Sequence, residues 1–452
     1  MTHSSNPTAQ MPFDFEVLST EALELSPETI EQAVELSLTI PNEERQWQAY
    51  LNALAMFGFE QWLNSRATDL TLDWENCSTR EPATANAIEA VCNLKVNDFK
   101  LCLIATGSLT DEEVMLPRAI VDLPEFIPHF YVLVEVQEEQ EAVTIQGFLS
   151  RNQLDERLER ANLVAEEDWT YQLPASWFIA DPDRLLVYLS CLEPTTIPLP
   201  TVPSDRSTQL AQLRSGLERL LPELHSSQRQ LWQILTWEQG AAVLTNPELL
   251  NWVYQVQQQG DSSTTDASAR NHLTDILQLL TQQAMNVRRW LSNELDELAQ
   301  ELSWILLPMP SLATATALRS PTEEFEAIVR ELHLSGLAIS PQARGAYRDL
   351  QVAGLSLRLY ALTWPLMTGS IPEWTLLLIL GAPSETNLPI GLTLRVSDQT
   401  GILVERVVGS DNNSPYFFTS VIGNWYEKFI VTIGLAPGFK LTLPPFSFQL
   451  EP

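Results

Sequence analysis

The sequence is poor in cysteine and histidine. Four cysteines and five histidines occur among 452 residues, and no Cys-x-x-Cys pair is present. Sparse cysteine without paired spacing is typical of reduced, buried thiols in a cytosolic protein and excludes a disulfide-rich scaffold. Two alternatives stay open: a disulfide between Cys92 and Cys102 across a hairpin, and a zinc site that adds His129 to them.

Long apolar stretches are also missing. The run Thr375–Gly381 is far shorter than the roughly 20 residues that span a bilayer, so it predicts a buried strand. Residues 1–10 are polar and lack the cationic start and apolar core of a signal peptide. We therefore expect a cytoplasmic protein without membrane insertion.

The sequence contains none of the common catalytic or nucleotide-binding motifs. The patterns GxxxxGK[ST], GxGxxG, HExxH, GxSxG and the EF-hand loop do not occur. We expect no catalytic residues, no cofactor and no metal. Asp181-Pro-Asp183 could act as an acid–base pair, although a helix cap is the simpler interpretation. Asp411-Asn-Asn-Ser414 could bind calcium, although a turn is the default.

Negative charge is the most prominent feature of the composition. Asp and Glu number 58 against 26 Lys and Arg, which gives a net charge of −32. Residues 1–150 carry −19, residues 151–339 carry −12 and residues 340–452 carry −1. Such acidity argues against direct binding of nucleic acid or an anionic membrane and favours a partner with a basic surface.

The pattern of apolar residues predicts a multidomain α+β protein. Residues 1–12 read as a disordered tail. Residues 13–193 predict helices packed on an antiparallel β-sheet or small barrel. Ser26-Pro27 and Asn42 are typical helix starts, and Gly147 inside a strand indicates a bulge or a close backbone approach.

The rest of the chain divides at proline-rich segments. Residues 194–206 predict a stiff linker, and 207–307 predict a helical bundle. Apolar residues spaced by three and four from Leu273 to Ile305 predict one long helix. Residues 308–323 predict a second linker. Residues 324–452 contain short alternating runs that predict an immunoglobulin-like β-sandwich.

Tryptophan and glutamate supply the candidate interaction residues. Thirteen tryptophans occur, several in the predicted helical region. Packing in a bundle core is one interpretation, and exposed anchors for a partner are the other, because tryptophan is enriched at binding hot spots. The candidate interaction surface comprises Trp232, Trp237, Trp252, Trp290, Glu138, Glu139 and Glu141.

Several segments together resemble a known family. They are Ile145–Leu154, Arg344–Leu350, Leu388–Val396, the turn Ser397–Gly401 and Phe429–Ile433. This combination resembles a cyanobacterial family of uncharacterised proteins, domain of unknown function 1822. The resemblance supplies no catalytic residues. It suggests a genomic association with sigma factors, and hence a transcription-related basic partner.

Three functional hypotheses are consistent with the sequence. The leading hypothesis is a non-enzymatic, acidic interaction or regulatory protein that binds a basic protein partner, with no direct contact to nucleic acid. A structural subunit of a larger assembly would instead use the leucine seam and the tryptophans as an obligate interface. A carboxylate-dependent enzyme would need a cleft holding carboxyl groups of raised pKa. The sequence leaves the oligomeric state open.

Overall fold

A computed structural model describes most of the chain. The described residues are 22–107, 113–204, 206–259, 266–308, 321–334, 336–366, 371–382, 387–409, 415–435 and 438–449. The predicted tail at 1–12, most of the predicted linker at 308–323 and the loop Asp411–Ser414 lie outside them.

The fold is mixed α+β, as the sequence predicts. The helices are α1 (Pro27–Ser37), α2 (Glu43–Arg66), α3 (Pro82–Ala87), α4 (Ala119–Asp122), α5 (Arg151–Ala161), α6 (Pro182–Cys191), α7 (Arg206–Leu224), α8 (Trp237–Leu244), α9 (Pro247–Gln259), α10 (Asp266–Thr281), α11 (Glu297–Glu301) and α12 (Pro321–Leu334). Among the described residues, no helix is both long and apolar enough to cross a membrane.

Strands occur in both halves of the chain. They are β1 (Leu23–Glu24), β2 (Leu72–Asp73), β3 (Val91–Val96), β4 (Phe99–Thr106), β5 (Glu113–Pro117), β6 (Phe130–Gln137), β7 (Ala142–Ser150), β8 (Thr170–Pro174), β9 (Met285–Asn286), β10 (Ile305–Leu306), β11 (Arg344–Val352), β12 (Leu355–Leu366), β13 (Glu373–Gly381), β14 (Leu392–Asp398), β15 (Gly401–Val407), β16 (Tyr416–Asn424), β17 (Lys428–Leu435), β18 (Phe439–Thr442) and β19 (Phe446–Ser447).

The chain divides into two compact units. The N-terminal unit comprises residues 1–203, 223–245 and 253–260, and the C-terminal unit comprises 204–222, 246–252 and 261–452. This division differs from the predicted one. The predicted bundle at 207–307 is not a compact unit of its own, because its residues are distributed between the two units.

The N-terminal unit is built on helix α2 and a six-stranded sheet. The Asn42 side chain accepts hydrogen bonds from the backbone N–H groups of Glu44 and Arg45, so it caps α2 as predicted. Buried residues of the helix, including Leu54, Phe59 and Leu63, belong to the same hydrophobic cluster as the sheet residues.

The sheet of this unit is not the predicted antiparallel meander. Its strand order is β1-β7-β6-β4-β3-β2, and β4 pairs with β6 in parallel. The chain between these two strands leaves the sheet, because β5 pairs with β8 in a separate two-stranded ribbon. The chain therefore crosses back to the end of the sheet where β4 began, so that β6 runs in the same direction as β4.

Gly147 lies at a bulge and at a close backbone approach, the two alternatives that the sequence predicts for it. Leu133 pairs with Gly147 and Val134 with Ile145, so Gln146 is the extra residue of a bulge next to Gly147. A Cβ at Gly147 would lie 2.5 Å from the carbonyl oxygen of Ile179, so the backbone approach also requires glycine.

The predicted long helix from Leu273 to Ile305 is wrong. Helix α10 ends at Thr281, and the rest forms β9, a 3₁₀ segment at Val287–Ser292, α11 and β10. Asn293 and Ser303 adopt positive φ angles of 61°, which interrupt any helix. The apolar spacing arises because each short segment buries its side chains in one common core, including Trp290 and Trp304.

The C-terminal unit contains two sheets. One has the order β10-β11-β12-β13-β16, and the other has the order β15-β14-β17-β19-β9 with β18 beside β17. Residues of both sheets, such as Leu376 and Val431, belong to one buried cluster. Three consecutive strands, β11 to β13, are neighbours. That order differs from the ABED and CFG sheets of an immunoglobulin domain.

Candidate functional site

The candidate tryptophans fall into two groups. Trp252 and Trp290 are only 2% and 0% exposed. Trp290 packs against Trp304, with ring centroids 5.6 Å apart, inside the core of the C-terminal unit. These two residues are therefore core residues, and the prediction that they lie on an interaction surface is wrong. Trp232 and Trp237 are half-buried and line the same cavity.

This cavity, which we call the tryptophan cleft, lies in the N-terminal unit. Its volume is about 220 Å³. Three indoles line it together with charged and small apolar side chains: Arg45, Glu89, Arg118, Asp168, Trp169, Trp232, Trp237, Ala87, Ala119 and Leu244, among others. The aromatic and ionic groups come from five separate parts of the chain.

Trp169 is held in an unusual conformation. Its φ angle is +62°, a conformation that costs about 1–3 kcal/mol and persists where the contacts of the surrounding structure offset that cost. Its ring meets Trp237 edge to face at 5.4 Å. A Cβ at Gly240 would come within 2.6 Å of Cζ3 of Trp169, so only glycine leaves room for this indole.

Arg118 lies over one of the indoles. Its guanidinium carbon is 4.3 Å from the ring centroid of Trp237, within the range of a cation–π interaction. Its Nε donates to Asp122 at 2.7 Å, and Tyr171 donates its hydroxyl proton to the same carboxylate at 3.1 Å. The guanidinium plane is thus fixed from two directions.

Arg45 forms a second charged wall of the cleft. It is 8% exposed, its Nη1 donates to the carbonyl of Asn86 at 2.5 Å, and its Nη2 lies 3.1 Å from Glu89. Burial lowers the pKa of Arg45, while the carboxylate of Glu89 opposes that shift. The Nε of Arg45 is buried and has no hydrogen-bond partner among the described residues.

The candidate glutamates lie on a different surface. Glu138, Glu139 and Glu141 are exposed on the connection between β6 and β7. Burial raises the pKa of Tyr50, and the negative charges of Glu138 and Glu141 raise it further, so these groups lie within electrostatic reach.

An exposed tryptophan accompanies these glutamates. Trp47 on α2 is 53% exposed, and its ring lies 5.6 Å from that of Tyr50. We call Trp47, Tyr50, Glu138, Glu139 and Glu141 the acidic–aromatic surface. The sequence analysis identified the glutamates as candidates, but it did not show that they share a surface with Trp47 and Tyr50.

Comparison with known proteins identifies the family. The family model described as "Protein of unknown function (DUF1822)" matches residues 23–437. The chain belongs to the DUF1822 family. This confirms the resemblance noted in the sequence. No curated protein and no solved structure matches the chain. The matched range of this DUF1822 chain includes every residue of the tryptophan cleft and of the acidic–aromatic surface.

Three of the four cysteines of the DUF1822 chain are enclosed in the protein, and Cys191 is exposed. Cys77, Cys92 and Cys102 are buried free thiols, and burial raises the pKa of Cys92 to about 12. The described residues contain no group of three His, Cys, Asp or Glu side chains placed to hold a metal ion. The zinc and disulfide alternatives at Cys92 and Cys102 therefore have no support in the described part of the chain.

The two carboxylates at the start of α6 differ in their contacts. Asp181 precedes the helix as predicted, but its side chain makes no capping hydrogen bond. Asp183 pairs with Arg66 at 2.6 Å. An acid–base pair would need both carboxyl groups free to face one ligand, so the ion pair of Asp183 favours a structural interpretation.

Proposed function

We propose that this DUF1822 protein is a non-enzymatic, cytoplasmic interaction protein that binds a basic protein partner through its acidic–aromatic surface. The observation that carries the proposal is the exposed indole of Trp47 beside Tyr50 and within a surface that carries three exposed glutamates. In keeping with the family resemblance, the proposed partner is a transcription-related protein of the sigma-factor type.

The chemistry of the surface fits lysine and arginine side chains. An exposed indole attracts a cation over its face by about 0.5–1 kcal/mol, and tryptophan is enriched among residues that dominate binding energy. The carboxylates add longer-range attraction that speeds association and weakens with salt. The net charge of −32 of the whole chain also attracts a basic partner.

The test measures binding of a fluorescent lysine- and arginine-rich peptide to the full chain by anisotropy. We expect Trp47→Ala to weaken binding about three- to tenfold. We expect the triple variant Glu138→Lys, Glu139→Lys, Glu141→Lys to abolish it at moderate salt. Raising the salt concentration from about 50 to 300 mM should weaken binding by the native chain.

A matched triple variant separates a site from diffuse attraction. Glu156, Glu159 and Glu193 are also exposed in the N-terminal unit. Changing these three to lysine alters the net charge by the same amount away from the proposed surface. Equal loss of binding in the two triple variants would reject the acidic–aromatic surface as a docking site.

A second candidate function, a structural subunit of a larger assembly, is favoured by strand β15. Among the described strands β15 pairs only with β14, and its Ile402, Leu403 and Val407 side chains are 42%, 41% and 59% exposed. An apolar edge strand is a template for pairing with another chain. Light scattering should show self-association that Leu403→Lys removes, whereas Ser420→Lys on β16 leaves it unchanged. A monomeric native chain would exclude homo-association through β15.

We also propose that the two sheets of the C-terminal unit form the predicted β-sandwich. Their shared hydrophobic cluster supports this arrangement, because facing sheets bury their inner side chains against one another.

A further inference from the structure

The tryptophan cleft has features that the proposed partner surface does not use. Trp169 keeps a left-handed backbone conformation, and Gly240 provides the space for its ring. Strained residues of this kind persist where the surroundings hold them, and they cluster at ligand-binding sites. The cleft is therefore a preformed cavity whose shape is fixed before any ligand arrives.

Arg118 presents hydrogen-bond donors to this cavity. Its Nε is engaged by Asp122, its plane stacks on Trp237, and its Nη groups donate to no described residue. A fixed guanidinium can bind a carboxylate or phosphate through two parallel hydrogen bonds, and little side-chain entropy is lost on binding.

The other charged groups of the cleft are already engaged. Glu89 pairs with Arg45, and Oδ1 of Asp168 accepts hydrogen bonds from the N–H and the hydroxyl of Thr170. The Nε–H of Arg45 has no partner in the described structure, but it is buried and not accessible to a ligand. The Nη groups of Arg118 are therefore charged donors available in the cleft, which favours a ligand that accepts hydrogen bonds.

The size and lining of the cleft limit the rest of the ligand. A volume of about 220 Å³ is below the roughly 300–1,000 Å³ of sites for drug-sized molecules, so it suits one ring with a small substituent. The indoles of Trp169, Trp232 and Trp237 supply flat apolar faces and edges, against which an aromatic ring packs well.

We propose that the tryptophan cleft binds a small organic anion with a single aromatic ring. Arg118 holds the carboxylate or phosphate group, and the indoles contact the ring. The site is separate from the acidic–aromatic surface, and the inference does not depend on the proposed partner.

The experiment uses the full chain and four probes: benzoate, phenyl phosphate, the neutral analogue benzamide, and inorganic phosphate. Titrations are followed by tryptophan fluorescence and isothermal calorimetry. We expect saturable binding of benzoate or phenyl phosphate, at least tenfold tighter than that of benzamide or inorganic phosphate. If benzoate binds more tightly than phenyl phosphate, the anionic group of the ligand is a carboxylate, and in the opposite case it is a phosphate.

Variants assign the binding to the cleft. Arg118→Gln should weaken binding at least tenfold, because it removes a charge-assisted hydrogen-bonding group. Arg118→Lys keeps the charge but loses the planar fork, so we expect an intermediate loss. Gly240→Ala should displace Trp169 and also reduce binding. The matched control is Arg184→Gln, since Arg184 also stacks on an aromatic ring, that of Tyr188, in the same unit.

Three results would overturn the proposal. The first is binding of benzamide as tight as that of benzoate and phenyl phosphate. The second is unchanged affinity in folded Arg118→Gln, or an equal loss in Arg184→Gln. The third is the absence of any binding by the aromatic anions at millimolar concentration. Circular dichroism of each variant separates loss of the site from loss of the fold.

Discussion

At the scale of single residues, His129 shows how burial fixes a protonation state. The ring is 7% exposed, and its Nδ1 accepts a hydrogen bond from the backbone N–H of Lys100 at 2.8 Å. Burial lowers the pKa of His129 below its ordinary value of 6.5. A proton on Nδ1 would also break the hydrogen bond, so the folded chain holds this histidine neutral.

This protonation state makes stability depend on pH. A histidine with a lowered folded pKa contributes stability that is present above pH 6.5 and lost as the pH falls below it, because the unfolded chain takes up the proton first. We expect the urea midpoint of the native chain to drop more between pH 7.5 and 5.5 than that of His129→Gln. An identical drop in both proteins would contradict the assignment.

A buried ion pair in the C-terminal unit gives a second prediction. Arg395 Nη2 lies 2.9 Å from Asp275, with side chains 8% and 3% exposed. Burial raises the pKa of Asp275, and Arg395 opposes that shift. We expect Asp275→Asn to lower the free energy of unfolding by about 3 kcal/mol, because it leaves a buried charge without its partner.

The double variant Asp275→Leu, Arg395→Met supplies the control for this pair. Replacing both charges by apolar groups is often neutral or stabilising, so we expect a stability within about 1 kcal/mol of the native chain. Hydrogen exchange of β14, which carries Arg395, reports both effects. If the double variant were as unstable as the single one, loss of packing rather than unpaired charge would be the cause.

At the scale of elements, local sequence explains how helices begin. Ser150 and Gln153 form a capping box at the start of α5: the Gln153 N–H donates to the Ser150 hydroxyl at 3.4 Å, and the Ser150 N–H donates to the Gln153 side chain at 3.1 Å. Each satisfies a backbone donor that the helix leaves unpaired.

The cap can be tested by substitution. We expect Ser150→Ala to lower the free energy of unfolding by about 1 kcal/mol, measured by urea denaturation. Ser150→Asp keeps an acceptor at the same position and should retain most of the stability. Equal destabilisation by both substitutions would show that Ser150 acts through packing.

At the scale of the whole molecule, the charge imbalance should affect stability. A net charge of −32 creates self-repulsion in the compact state that is weaker in the expanded unfolded chain. We expect the urea midpoint to rise as salt increases from about 10 to 150 mM, since the screening length falls from about 30 to 8 Å. Sodium and potassium chloride should act equally, and a falling midpoint would contradict the argument.

The sequence alone determined the local features. The helix caps at Ser26 and Asn42 form as expected. Such features depend on residues within a few positions of one another, so they can be recognised from the spacing of residues in the sequence. The charge of the chain and its membership in the DUF1822 family are likewise properties of the sequence.

The tertiary structure decided what depends on distant contacts. Arg118, Trp169 and Trp237 meet in the tryptophan cleft although about 50 to 120 positions separate the members of each pair. Long-range packing likewise determined the parallel pairing of β4 with β6. It also interrupted the predicted long helix, because its side chains are buried in a shared core. Packing overrides periodicity there, because burying apolar surface in a shared core outweighs the small differences in intrinsic helix propensity.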